Sequence, residues 1–310
     1  MRRLYFLIVT MLVLSACSGE HEQRTENDAM PDSSAWCIAV MPTMDCLPFY
    51  VASERHFFEE AGASVWLKTY QAQMDVDTAL QRSRVVGAAT DLARVERLRQ
   101  EGLQLEVVSQ TILDWQLISK RTSRISKWAQ LDDKMLAMTR YSGTDLLTDL
   151  VVDSAKLKSE RVFRIQVNDV SVRLGMLQSD IMDAMFLPEP QATAARNLRG
   201  RVMLDTRKMD IRLGAMAFIA DSIKRNRAQL TAIFKAYDRA VDSLNEQGIK
   251  SYSYLMEKYL GVSKQTIDSL PDDFKFRHSE EPRHKDLEMA KNWWNKRVES
   301  MKYVERRYIQ

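Results

Sequence analysis

From Trp36 onward, short apolar β-rich runs alternate with amphipathic helical stretches. That alternation limits the fold more than any other feature, because it is the signature of α/β architecture. The runs are Cys37–Met41, Val65–Thr69, Val85–Ala89, Leu105–Ser109, Ile112–Ser119, Met135–Thr139, Val162–Val167, Met182–Leu187, Val202–Asp205 and Ala215–Ala220. Helical periodicity falls between them at Leu47–Glu60, Asp75–Ser83, Leu92–Glu101, Asp145–Ala155, Val170–Gln178 and Gln191–Asn197. After Ala220 the strands stop. A long helix is expected over Ser222–Gln247, with Ile223, Leu230, Ile233, Phe234, Tyr237 and Val241 on one face. Two shorter helices and a charged C-terminal helix around Leu287–Arg307 follow.

The strands divide into two sets. The first four are separated by helices, whereas Ile112–Ser119 follows the fourth almost without a break, as a crossover would. A second set runs to about Asp205, and Ala215–Ala220 returns the chain to the first. The expected organisation is one lobe from residues 36–112 and 214–310 and a second from 113–213. Hinges fall near Ile112–Leu117 and Leu213–Met216. Open α/β sheets bind ligands outside the carboxyl ends of their strands, so those ends are the candidate site.

The N-terminus carries an address. Arg2 and Arg3 precede an uncharged, mostly apolar run, Leu4–Leu14, that is too short to span a bilayer, and Ser15 and Ala16 lead into Cys17. Residues 1–16 read as a signal peptide. Leu14-Ser15-Ala16-Cys17 resembles the bacterial lipobox, in which the Cys is diacylated and becomes the mature N-terminus. Residues 17–35 are polar and acidic, a flexible tether with an average reach of about 23 Å. Beyond Leu14 no apolar stretch approaches the roughly 18 residues of a membrane helix.

Composition removes several classes of function. Lys and Arg number 45 against 42 Asp and Glu, with no long basic run, so nucleic acid is not an expected partner. His21, His56, His278 and His284 are scattered, so neither a metal site nor a catalytic histidine is expected. Cys37 opens a strand and Cys46 lies past its far end. At about 3.3 Å per residue the two are too far apart for a disulfide, and both read as free thiols.

The strand ends supply the candidate ligand-binding residues. Asp45 follows the first strand and can cap the next helix, with Pro48 in its first turn. Tyr70, Gln71, Ala72 and Gln73 follow the second, a flat apolar surface beside two amides that suits a small-molecule pocket and would equally serve a surface turn. Thr90 and Asp91 follow the third and can cap the helix that starts at Leu92. In the crossover, Asp114 and Trp115 interrupt an apolar strand, and the indole can be either core or cleft wall. In the second lobe, Ser142, Gly143 and Thr144 lie between a strand and a helix start. Free N–H groups and the positive helix end can hold an anionic or polar group there. Arg140 adds a cation suited to carboxylate, sulfonate or phosphate. Asn168 precedes Val170, and Glu189 lies between Pro188 and Pro190, which fix its backbone.

Several of these segments together resemble a known family. Met41-Pro42-Thr43-Met44-Asp45, Tyr50-Val51-Ala52 and Phe57-Phe58-Glu59-Glu60-Ala61-Gly62 look like the opening of binding proteins for nitrate, taurine, sulfonates and thiamine-pyrimidine precursors. Arg55 and His56 replace the usual Lys-Gly of that opening. Asn168-Asp169-Val170, Arg173-Leu174, Leu177, Asp183-Ala184 and Leu187-Pro188-Glu189-Pro190-Gln191-Ala192 look like the family's second-lobe segment. The resemblance runs from Trp36 to about Gly261. It implies a two-lobed type II periplasmic-binding-protein fold with two hinge crossovers and a helical C-terminal region. It also implies a monomer without cofactor that delivers a small molecule, sulfonate, nitrate or pyrimidine-like, to the permease and ATPase of an ABC importer. By matching position, Asp45, Gln71, Thr90, Ser142–Thr144, Asn168 and Glu189 would line the cleft. The chain departs from the pattern at Gly87-Ala88-Ala89-Thr90-Asp91.

Enzymes share this fold, among them pyrimidine synthases and menaquinone-pathway lyases. The former carry a cysteine-rich iron motif that three dispersed cysteines do not supply, and both are cytoplasmic, so no catalytic residue is expected. A lipoprotein sensor or scaffold that keeps the fold without an importer is the other alternative.

Overall fold

A computed structural model describes residues 34–308, with side chains to residue 303. The signal peptide, Cys17 and most of the tether lie outside the described residues. The first sheet contains β1 (Trp36–Val40), β2 (Val65–Thr69), β3 (Gly87–Asp91), β4 (Leu105–Gln110) and β10 (Gly214–Ile219), in the order β2-β1-β3-β10-β4. The second contains β5 (Trp115–Ser119), β6 (Lys134–Met138), β7 (Val162–Gln166), β8 (Ala184–Pro188) and β9 (Arg201–Asp205), in the order β7-β6-β8-β5-β9.

Each sheet is parallel apart from one antiparallel strand inserted near its middle. β1 pairs in parallel with β2 and β3, while β10 runs antiparallel to β3 and β4. In the second sheet β6 pairs in parallel with β7 and β8, while β5 opposes β8 and β9. The central strands β1, β3, β5 and β8 are buried along their whole length. That is why they read as continuous apolar runs and not as alternating ones.

Helices flank both sheets. α1 (Leu47–Glu54), α2 (Phe57–Glu60), α3 (Gln73–Gln81) and α4 (Leu92–Gln100) fill the first lobe's connections. α5 (Gly143–Ser154), α6 (Val170–Gln178) and α7 (Gln191–Asn197) fill those of the second. α8 (Ala220–Arg225), α9 (Arg227–Gln247), α10 (Ser253–Leu260), α11 (Lys264–Asp268) and α12 (His284–Tyr308) follow the last strand. Among the described residues no helix is long and apolar enough to cross a membrane.

Two helices expected to be continuous are each broken. Leu47–Glu60 divides at Arg55 and His56, because His56 adopts the left-handed conformation, φ 57°. Ser222–Gln247 divides at Asn226, whose side chain caps α9 by accepting from Gln229 N at 3.0 Å. The strand expected at Ile112–Ser119 begins only at Trp115. Residues 111–114 cross between sheets, anchored where Thr111 N donates to Gly214 O at 3.0 Å. Cys37 and Cys46 are both buried and unpaired, as their spacing requires.

The C-terminal helix joins elements of both sheets. Ala290 of α12 lies in one apolar cluster with Leu92 and Ala93 of α4 and with Leu146 and Leu147 of α5. Trp293 Nε1 donates to Asp149 Oδ2 at 2.7 Å and Arg297 Nη2 to Asp145 Oδ2 at 3.0 Å, while Gln100 Nε2 of α4 donates to Asn295 Oδ1 at 3.2 Å. Residues 284–303 thus contact helices that flank both sheets.

Candidate functional site

The carboxyl ends of β1, β2 and β3 point toward the loops that open α5, α6 and α7. After β1 the chain makes a 3-10 turn, Met44–Cys46, that buries Asp45. Asp45 Oδ2 accepts from Thr111 Oγ1 at 3.2 Å, and Oδ1 has no partner. Burial, only partly offset by Thr43 and Thr111, raises its pKa. Asp45 does not cap α1, as its position suggests it could. The helix starts one residue later, at Leu47, with Cys46 in the capping position and no side-chain bond there.

Beside Asp45 lies an enclosed cavity of about 10 Å³, room for about one water molecule. Thr43, Asp45, Cys46, Gln73, Thr90 and Arg94 supply its polar lining. Four of their buried polar atoms have no partner: Asp45 Oδ1, Gln73 Oε1, Thr90 Oγ1 and Arg94 Nη1. A buried polar group without a partner is costly, so the cluster calls for a bound partner, either a water molecule or a ligand group. Arg94 is 1% exposed. It is held by an ion pair to Asp77 and a bond to Gln73 O, and Arg97 binds the other oxygen of Asp77. A second cavity of similar size adjoins Asp45 on the far side, between Asp114, Glu189 and Arg207. Burial raises the pKa of Asp114 to about 6.

The two lobes touch directly around this site. Met44 N donates to Glu189 O, Gln191 Nε2 to Pro42 O and Gly143 N to Asp91 Oδ1, each at 2.8 Å. Ala72 and Asp169 form an isolated antiparallel bridge. The helix start at Ser142–Thr144 does hold an anionic group, and that group is the chain's own Asp91. Asp91 Oδ1 also accepts from Arg94 N at 3.0 Å, capping α4, while Thr90 does not cap it. Burial lifts the Asp91 carboxyl to about 6 despite these bonds.

The remaining candidates divide. Ser142 and Thr144 are buried and bonded to each other and to Thr139: Ser142 Oγ donates to Thr139 O at 2.7 Å, and Thr144 Oγ1 accepts from Thr139 N at 2.9 Å. Glu189 is fully engaged inside its own lobe. It accepts from Gln116 Nε2 and Arg196 Nη1 on one oxygen and from Thr193 N and Oγ1 on the other. The Glu189–Pro190 peptide is cis. Gln71 and Arg140 are exposed and line neither cavity. Tyr70 is half-buried under Lys68, and Asn168 accepts from Gln166 at 3.2 Å. Trp115 is core, not cleft wall: it is fully buried among the second lobe's apolar side chains, with Arg173 5.8 Å above its ring.

Sequence reasoning places Gln73 among the polar groups after the second strand, but it does not single out Arg94 or Arg173 as site groups. Arg173 is fully buried and donates to Val167 O, Phe186 O and Thr139 Oγ1, and burial lowers its pKa to about 9. Arg94 is visible in the sequence only as one of two cations, with Arg97, on the mostly apolar buried face of α4. No local signal ties it to Asp77 on another helix.

Residues 43–248 match the family described as NMT1/THI5 like. The chain belongs to that family. Three solved structures show the same two-lobed periplasmic-binding-protein fold. The periplasmic aliphatic sulphonate binding protein SsuA from Escherichia coli is 16% identical, with a TM-score of 0.68 over 86% of this chain and 89% of that one. The alkanesulfonate-binding protein SsuA from Xanthomonas axonopodis pv. citri, bound to MOPS, is 13% identical, with a TM-score of 0.69 over 89% and 94%. The periplasmic nitrate-binding protein NrtA from Synechocystis PCC 6803 is 14% identical, with a TM-score of 0.67 over 82% and 74%. A comparison with curated protein sequences found no match.

Proposed function

We propose that this chain is an extracytoplasmic solute-binding protein, anchored by lipid on Cys17, that captures a small polar molecule between its lobes and delivers it to the permease and ATPase of an ABC importer. The observation that carries this reading is the cluster of unpartnered buried atoms on Asp45, Gln73, Thr90 and Arg94. They lie where the strand ends of one lobe meet the loops of the other, on the fold that the sulfonate and nitrate binding proteins share.

The cycle needs no covalent chemistry. The lobes part about residues 111–114 and 206–213, which breaks the Met44–Glu189 and Gln191–Pro42 bonds and widens the small cavity; ligand enters, and the lobes close over it. Cys46, the one thiol in the lining, is held in its unreactive form, because burial and the Asp45 charge push its pKa well up. Domain boundaries at 36–112 with 214–310 and at 113–213 fit this motion, with α12 bridging the two. Native mass spectrometry of the purified protein tests the reading: a stoichiometric small molecule is expected, and a protein that carries none and binds none on titration contradicts it.

The direct lobe-to-lobe bonds also suit a second reading, a lipoprotein sensor or scaffold that keeps the fold without transport. Permease and ATPase genes beside this one favour import, and their absence favours the sensor.

A further inference from the structure

The start of α5 has the geometry of an anion seat: the four-residue loop 139–142, a Gly143 N–H with no partner inside the helix, and the positive end of a 12-residue helix. Asp91 fills it from the opposite lobe. Its Oδ1 accepts from Gly143 N at 2.8 Å and from Arg94 N at 3.0 Å, and the carboxylate is wholly buried. The fit is close: a methyl group on Gly143 would stand 3.3 Å from the Asp91 carboxyl carbon. In the adjoining cavity the unpartnered atoms are mainly acceptors. Asp45 Oδ1 and Gln73 Oε1 accept only, Thr90 Oγ1 can do either, and Arg94 Nη1 alone is restricted to donating.

Charge points the same way. Around the cavity, three buried carboxylates (Asp45, Asp77 and Asp91) face two buried guanidinium groups (Arg94 and Arg97), and both guanidinium groups are already paired with Asp77. Arg173, on the other lobe, spends its donors on Val167 O, Phe186 O and Thr139. That leaves Asp45 and Asp91 without an ion pair on the first lobe's side, while Arg173's charge on the other lobe meets only neutral acceptors.

Resting on the solute-capture reading, we infer that Asp91 is a built-in anion that makes the cleft reject small anions and select a ligand that donates hydrogen bonds through amine or amide N–H groups. On closure a sulfonate or nitrate would have to displace Asp91 from its seat, with the Asp45 carboxyl beside it. An N–H group would satisfy Asp45 and Gln73, whose acceptors otherwise stay buried and unpaired.

Asp91→Ser tests this, because serine keeps a cap for α4 while vacating the seat. Calorimetric titration with sulfate, nitrate and methanesulfonate should show no binding to the wild type and at least a tenfold gain in affinity for one of the three in Asp91→Ser. The molecule recovered from the wild type should carry N–H donors and no sulfonate, phosphate or nitrate group. A wild type that binds these anions as tightly as the variant, a folded variant that gains none, or recovery of an anion from the wild type overturns the inference. Solute capture survives all three results and fails only if no small molecule binds at all. Should Asp91→Ser not fold by circular dichroism, the wild-type titrations and the recovered ligand decide alone.

Discussion

At Asp91 two influences oppose each other. Two backbone donors hold the carboxylate, yet complete burial raises its pKa from 3.8 to about 6. A carboxyl raised on folding binds more protons folded than unfolded between about pH 4 and 6, so its contribution to stability falls as pH rises through that window. Asp91→Asn keeps the acceptor and removes the charge. It is expected to gain on the wild type by about 2 kcal/mol between pH 4 and 7, measured by denaturant unfolding at each pH. A difference between the two proteins that does not change with pH contradicts this account of Asp91. Arg173 is the opposite case, a cation kept in the core by three acceptors. Arg173→Lys cannot reach all of them and should cost about 2 to 4 kcal/mol in chemical denaturation; a loss below about 0.5 kcal/mol, the range of surface changes, would refute it. Of these roles only the Asp91 cap is legible locally, since Arg94 lies three residues on. Its contact with Gly143, 52 residues away, depends on how the lobes meet, and no local pattern encodes that.

At the scale of elements, the ten strands are legible as β-rich runs bounded by polar turns, most continuously apolar where both faces are buried, as in β1 and β8. The helix breaks are not. His56 and Asn226 sit inside periodic patterns that continue past them, and only the tertiary path requires the chain to turn. Asn226→Ala should remove the α9 cap and cost about 1 kcal/mol of stability, seen as a lower thermal midpoint; an unchanged midpoint means that the cap is dispensable. The hinge gives a sharper case. At Gly214 a methyl group would meet Thr111 Oγ1 at 2.4 Å and Leu113 Cβ at 2.5 Å, because the two crossing strands pass against each other there. Gly214→Ala should therefore destabilise by about 1 to 3 kcal/mol, read from the urea midpoint. A variant as stable as the wild type would show that the crossovers are looser than drawn.

For the whole molecule, the decisive arrangement is two sheets joined by two crossovers, with α12 spanning both and a polar cluster enclosed near their meeting line. The two-set strand pattern makes the fold and the general place of the site readable. The lining is less readable, because Asp45 and Thr90 project into the cavity while Gln71, two residues before Gln73, is exposed. Which of two neighbouring amides faces inward depends on where α3 begins, a boundary that periodicity leaves uncertain by about two residues. The most direct measurement is a crystal structure of the protein with the small molecule it retains on purification. The account predicts that molecule between the lobes, within hydrogen-bonding distance of Asp45 and of at least one of Gln73, Thr90 and Arg94. A ligand seated elsewhere, such as the groove of about 470 Å³ between α5 and α12, with the Asp45 cluster unchanged, would contradict it.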